Sequence, residues 1–227
     1  MFRMATDITP RRALLSWSGG KDSSLALQRA LADGAWRVDG LVTTVTDEYD
    51  RVSMHGVRRA LLEAQAEALG LPLRTVRIPP ACPNDRYEAA MRAALADYAA
   101  EGGEAVLFGD LFLEDVRAYR VRLLEGLPLR AEFPIWGEPT DALARRFVAE
   151  GFRAVLVCVD PRQIDGGFAG RDYDDRLLAE LPPAADPCGE RGEFHTFVVD
   201  GPIFGRPVAV ERGEVVEREG FVYADLR

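Results

Sequence analysis

The chain has 227 residues, enough for one large α/β domain or a core domain with a smaller second one. Its 28 basic and 37 acidic residues leave a net charge of −9, which argues against a protein that holds nucleic acid by its phosphates. Met1–Arg12 lacks an apolar signal core and the longest strongly apolar run, Ala154–Val159, is far short of a membrane span; with Cys82, Cys158 and Cys188 forming no CxxC pair, a reducing cytoplasm is expected and a membrane is not.

Short apolar runs then alternate with amphipathic stretches. Arg12–Trp17 reads as a buried strand, and Asp22–Asp33 as a helix stopped near Gly34. Val38–Thr46 reads as a second strand, Val57–Leu69 as a helix ending at Gly70, and Leu73–Ile78 as a third strand. Asp85–Ala100 is helical, and Ala105–Phe108 is a fourth strand running into Gly109-Asp110. This alternation predicts an α/β fold with a Rossmann-like, doubly wound parallel sheet. The second half is less regular. Leu113–Leu124 and Thr140–Glu150 read as helices, with Thr140 as the N-cap of the latter. Ala154–Val159 reads as a strand, and His195–Val199, Pro207–Val210 and Val215–Val222 as antiparallel strands. A boundary after Gly126 divides a first domain, 1–126, from a smaller C-terminal α+β domain, 127–227.

The chemistry concentrates after the first strand. Ser16-Trp17 leads into Ser18-Gly19-Gly20-Lys21-Asp22-Ser23-Ser24, a strand, a glycine-rich turn and a helix start in that order. Free N–H groups and the dipole of a helix N-terminus attract an anion, and glycines let backbone approach it closely. The pattern is not a Walker A loop: Leu15 stands where that motif has its first glycine, and Asp22 where it has Ser or Thr. Lys21 is the only lysine among the 28 basic residues, and all others are arginine. A narrow ammonium on a thin stem is what a broad guanidinium fork cannot imitate, so this position is read as one that demands lysine.

Ligands of a doubly wound sheet gather at the carboxyl ends of the strands. That brings in Thr43 after the second strand and Gly109-Asp110 after the fourth, with Asp110 equally suited to cap the next helix. His55 and His195 are the two histidines; without a third ligand they do not predict zinc, and either suits proton transfer. The charged stretch Leu113–Arg122 reads by default as a solvated helix face. The loop Asp186–Thr196, rich in acids and glycines, is the better binding candidate. In it Cys188 reads as a structural thiol rather than a nucleophile.

SGGKDS after a first apolar strand resembles the PP-loop of the N-type ATP pyrophosphatases. Gly109-Asp110, the helix with Asp115, Arg117 and Arg120, Pro134-Ile135-Trp136-Gly137, and the segment Asp186–Phe204 together resemble the diphthine–ammonia ligases and their prokaryotic relatives. The resemblance covers nearly the whole chain. It implies a HUP-type nucleotide fold in 1–126 and a C-terminal domain that faces the acceptor. It implies a ligase that adenylates a carboxylate with ATP and Mg²⁺, releases pyrophosphate, and lets ammonia displace AMP. Ser16, Ser18, Gly19, Gly20, Lys21, Asp22, Ser23, Ser24, Thr43, His55, Gly109 and Asp110 would then bind ATP, with Asp22 as a Mg²⁺ ligand. Lys21, Asp22, Glu190 and Glu193 would be catalytic, and Asp115, Arg120, Trp136, Gly189, Glu190 and His195 would meet the acceptor. Glu190 and Glu193 serve either the ammonium and acceptor or the shape of their own loop. The Ser53–Gly56 loop and the Phe194-His195 pair are nearest to the prokaryotic relatives, whose acceptor is expected to differ from diphthine. Ammonium is the expected co-substrate and a homodimer the expected assembly. Two other readings stand beside this one: a PP-loop enzyme that modifies tRNA, against which the charge and the lack of paired cysteines count, and a nucleotide sensor that binds ATP without releasing pyrophosphate.

Overall fold

The computed structural model describes residues 9–48, 50–52 and 56–227. The first sheet contains β1 (Arg11–Ser16), β2 (Trp36–Thr46), β3 (Arg51–Val52), β4 (Leu73–Ile78), β5 (Ala105–Leu107) and β6 (Arg130–Glu132). β4, β2, β1, β5 and β6 lie side by side and parallel. Val45 and Thr46 pair with β4 along one edge and, antiparallel, with β3 along the other, so β3 merely extends the carboxyl end of the sheet. The chain order reverses between β1 and β5. In a doubly wound sheet that reversal opens a crevice at the carboxyl ends of the strands, where ligands bind.

The burial pattern explains the layering. Ala13, Leu14 and Leu15 are almost wholly buried, as expected of a central parallel strand covered on both faces. Alternate residues point to opposite faces. Ala13, Leu15 and Trp17 join one core with α1 (Lys21–Asp33) and α2 (Arg59–Leu69). Leu14 joins a second core with α3 (Asn84–Ala100) and α4 (Glu114–Leu123).

The second sheet is antiparallel, in the order β8 (Phe194–Asp200), β7 (Arg153–Val159), β10 (Phe221–Leu226) and β9 (Arg212–Arg218). Its inner residues, among them Val155, Val157 and Phe197, belong to the same core as Leu15 and α1, so both sheets share one apolar interior. α5 (Thr140–Ala149) and α6 (Asp175–Glu180) pack there through Leu143, Phe147 and Leu177. No described helix is long and apolar enough to cross a membrane.

Several expected details differ. Val215–Val222 is not one strand but most of a hairpin. Glu219 and Gly220 both take positive φ (51° and 79°) and turn β9 into β10. Two consecutive left-handed residues are the turn a tight hairpin needs, and Glu-Gly is a weak signal for it beside Asn-Gly. Pro207–Val210 forms no strand: Pro207 has no N–H to give, and Val208 holds to Val199 by a single N–H···O bond of 2.8 Å. Thr140 starts α5 but does not cap it. Pro139 occupies the cap, and the Thr140 hydroxyl donates to Asp186 at 2.8 Å. The boundary expected after Gly126 falls ahead of β6, which pairs with β5 in the first sheet.

Candidate active site

The PP-loop lies at the sheet's switch point, between the end of β1 and the start of α1. Gly19 adopts φ +79°, and a Cβ there would stand 2.6 Å from Leu62 and 2.8 Å from Gln65. Gly20 is the N-cap of α1 and offers no side chain to it. The first-turn N–H groups therefore lack an intrahelical partner. Lys21 N–H donates to the Thr196 hydroxyl at 3.1 Å. The N–H groups of Asp22 and Ser23 meet no acceptor among the described residues. These are the donors an anion would find.

The loop's hydroxyls work mainly on the loop itself. Ser23 and Ser24 both donate to the Gly20 carbonyl, at 2.9 and 3.0 Å, and the Gly20 N–H reaches the Ser18 hydroxyl at 3.3 Å. Ser24, expected among the nucleotide contacts, is fully buried. Ser16 ends β1 opposite Val42, and Thr43 is buried on β2. His55 lies outside the described residues.

Gln65 anchors this loop, and the sequence alone did not single it out. It is wholly buried on α2. Its amide donates to the carbonyls of Gly19 (3.0 Å) and Val198 (2.6 Å), and its oxygen accepts from the Trp17 indole at 2.9 Å. It thus ties the PP-loop to β8 of the second sheet. A glutamine in a helical apolar stripe with no partner within a turn was the available signal.

Gly109 allows a second close approach. A Cβ there would lie 2.9 Å from the Asp22 carbonyl carbon and from the Ser23 nitrogen. Only a glycine lets the β5 exit touch the start of α1, and that contact carries Asp110 to the rim. Asp110 pairs with Arg120 at 3.3 Å, so Arg120 is drawn inward and α4 is not the uniformly solvated face its charges implied. Arg117 stacks on the partly buried Trp136 ring at 4.8 Å. Asp115 lies exposed in the first turn of α4, and no hydrogen bond or ion pair joins it to this group.

The loop Asp186–Thr196 closes over the PP-loop. Its shape comes from two buried carboxylates. Asp186 accepts from the Thr140 hydroxyl and from the N–H of Cys188, both at 2.8 Å. Glu193, expected as a catalytic carboxylate, is 2 % exposed, and its oxygens accept from the N–H groups of Asp186 (2.8 Å) and Arg191 (3.0 Å). Of the two readings for Glu193, this geometry is that of loop shaping. Gly189 sits in the turn between them, against Phe194.

Glu190 faces the other way. Its carboxylate accepts the Leu111 N–H at 2.8 Å, while the Leu111 carbonyl accepts from Gly137 at 2.8 Å. The loops of Glu190, Gly109-Asp110 and Trp136-Gly137 therefore meet at one residue. Burial pushes the Glu190 carboxyl up to about 7; the Leu111 N–H opposes this, and the negative charge of Asp22 reinforces it. A carboxyl group displaced to near neutrality in a crevice is a common mark of a reacting group.

Lys21 is the keystone. Its ammonium is buried and bonds both Asp22 oxygens, at 2.8 and 3.0 Å, and the Cys188 carbonyl. Burial works against this charge, but Asp22 and the other acids around it outweigh the cost and raise its pKa. Desolvation likewise raises the Asp22 carboxyl, against the pull of Lys21. The ammonium lies 5.9 Å from the Tyr173 ring and 5.6 Å from the Phe194 ring and donates to the Cys188 carbonyl, surroundings that suit a compact ammonium better than a broad guanidinium fork. The Cys188 thiol donates to the Thr140 carbonyl at 3.3 Å, and burial lifts it to about 12, so it stays protonated as a structural thiol would. His195, on β8, is held down at about 4 by burial and by the Lys21 charge.

A glycine-rich turn with orphaned N–H groups, at the switch point of a doubly wound parallel sheet, defines a Rossmann-like phosphate-handling protein. Comparison with known proteins narrows this. Residues 11–130 match the diphthamide synthase N-terminal domain, and residues 139–225 match the diphthamide synthase C-terminal domain. The diphthine–ammonia ligase of Rattus norvegicus is 27 % identical over 233 residues, covering 92 % of this chain and 86 % of the relative. The Homo sapiens diphthine–ammonia ligase is 26 % identical over 232 residues, with the same coverages, and that of Danio rerio is 25 % identical, covering 92 % and 90 %. The chain belongs to the diphthamide synthase family. It is an ATP-dependent ligase of that family.

Proposed function

We propose that the enzyme joins ammonia to a carboxylate through an acyl adenylate, the acceptor being of the diphthine type. In the first step an acceptor carboxylate oxygen attacks the α-phosphorus of ATP, the α–β bond breaks, and pyrophosphate leaves. In the second, ammonia attacks the acyl carbon, AMP leaves, and the nitrogen gives up a proton. The relatives' name supplies the reaction class, and the site supplies parts suited to it.

The free N–H groups of Asp22 and Ser23 and the Lys21 ammonium offer preorganised positive charge to a departing pyrophosphate. Asp22 and Asp110 are hard oxygen donors within electrostatic reach of each other. Mg²⁺ is held by one or two carboxylates plus substrate phosphates, and this donor set fits it. When bound, the ion neutralises charge on the phosphates.

The observation that carries the reading is Glu190. A loop from the second sheet brings it to the switch point, beside the PP-loop, with a carboxyl poised near pH 7. There it suits binding ammonium and taking the proton released on amide formation. Glu193 is assigned to holding the loop.

The test is pyrophosphate release from ATP and Mg²⁺ with ammonium and a panel of carboxylates, with product mass measured. Release that requires a carboxylate, and an amide product, supports the reading. Tight ATP binding with no release for any carboxylate would instead favour a nucleotide sensor.

A further inference from the structure

A second cavity lies away from the PP-loop, between the β9–β10 hairpin and the chain entering α2. It encloses about 260 Å³ and is lined by Arg51, Arg58, Arg218 and Arg227, against two acids, Glu214 and Asp225. On a protein of net charge −9 this is a concentrated positive site. Arg51, Arg58 and Arg227 all converge on Asp225, at 2.9, 2.7 and 3.2 Å. Burial works against the Asp225 carboxylate, but these hydrogen bonds outweigh it and hold it well below the usual range. One carboxylate cannot satisfy three guanidinium forks of five donors each. No carboxylate among the described residues pairs with Arg218. The cavity therefore has more donors and more positive charge than its own acids use.

We propose that this cavity is an anion site, distinct from the PP-loop, that takes a small phosphate-bearing ligand. The arginines approach from separate segments: β3, the entry to α2, the end of β9 and the chain terminus. Such encirclement suits a tetrahedral polyanion rather than one planar carboxylate, and forked guanidinium donors match phosphate oxygens. The volume is below the roughly 300–1,000 Å³ of pockets for drug-sized ligands, so the occupant is small. Arg58 lies roughly 10 Å along α2 from Gln65, the residue that touches the PP-loop, at 1.5 Å per residue. The cavity is thus set off from the PP-loop contact by about two turns of α2.

Calorimetric titration of the full chain with sodium phosphate tests this, at constant ionic strength set with chloride and with the PP-loop filled by α,β-methylene ATP. Saturable binding of one phosphate is expected. Arg218→Gln and Arg58→Gln should each weaken it about tenfold, the worth of one charge-assisted contact. Arg218 makes no ion pair with a described carboxylate, so its variant should keep the wild-type Tm and separate lost binding from lost folding. Arg206→Gln, whose partner Glu67 lies elsewhere, should bind as wild type. No saturable binding once the analogue is present, or binding that Arg218→Gln leaves unchanged, overturns the proposal. Phosphate that displaces the analogue competitively also overturns it, because the two sites would be one.

Discussion

The PP-loop and the Asp186–Thr196 loop meet at Lys21 but are made in opposite ways. The first is local. Consecutive residues form a strand end, a glycine turn and a helix start, and the donors it presents are backbone N–H groups. The second has little regular structure, and two buried carboxylates fold it by accepting its own N–H groups. What it presents is one side chain, Glu190. A backbone cradle follows from local sequence, whereas a side chain aimed from a loop depends on every contact that fixes the loop.

The largest effect should come where the two loops join. Lys21→Arg preserves charge but not shape. We expect pyrophosphate release to fall by at least ~10²-fold, the scale of losing a preorganised charge contact. Near-normal turnover would show that the buried ammonium serves neither loop in a way arginine cannot.

Next comes Glu190→Gln, which separates the loops. ATP affinity should stay, and product formation should fall roughly 10²–10⁴-fold, the usual share of a general base. Wild-type turnover should rise as pH climbs through about 7, where this carboxyl ionises, and the variant should lose that rise. Stability should move the other way. The fold favours the neutral carboxyl, so ionising it costs stability between the ordinary carboxylate range and about 7. The glutamine variant should lack that decline in thermal melts taken across the same range. Weakened ATP binding in it would place Glu190 with the nucleotide instead.

Gln65→Leu probes the anchor of the local loop. It leaves the Trp17 indole N–H without its acceptor and takes a donor from the Val198 carbonyl, each costing about 1–3 kcal/mol, while the Gly19 carbonyl keeps the Val198 N–H at 2.9 Å. A lower denaturation midpoint at unchanged slope is the expected readout. The smallest effect is expected for Gly109→Ala. Its Cβ would press on the backbone of Asp22 and Ser23, and overpacking of this kind costs about 1–3 kcal/mol. ATP affinity should drop with stability, since α1 must shift. Unchanged affinity would mean that the contact with α1 does not shape the cradle.

The sequence was legible wherever structure is local and periodic. Leu14, flanked by Ala13 and Leu15, reads as a buried strand because a central parallel strand is apolar on both faces. The alternation of strands and helices to Phe108 carries the parallel sheet. The hairpin at Glu219-Gly220 was missed because its turn chemistry is weak, and β6 because three residues show no period. The charged stretch that holds Arg120 reads by default as a solvated face because no local rule pairs Arg120 with Asp110 ten residues back.

The lone lysine in a Gly-Gly turn after a strand, and the composition of the Asp186–Thr196 loop, were thus determined by the sequence itself. Which carboxylate of that loop faces the crevice was not. Glu190 and Glu193 are the same residue type three positions apart, and both are flanked by glycine. Only the tertiary structure separates them: the loop's unpaired N–H groups claim Glu193, and the Leu111 N–H, delivered by another strand, claims Glu190. Hydrogen-bond demand across sequence-distant segments made that choice, and no local pattern encodes it.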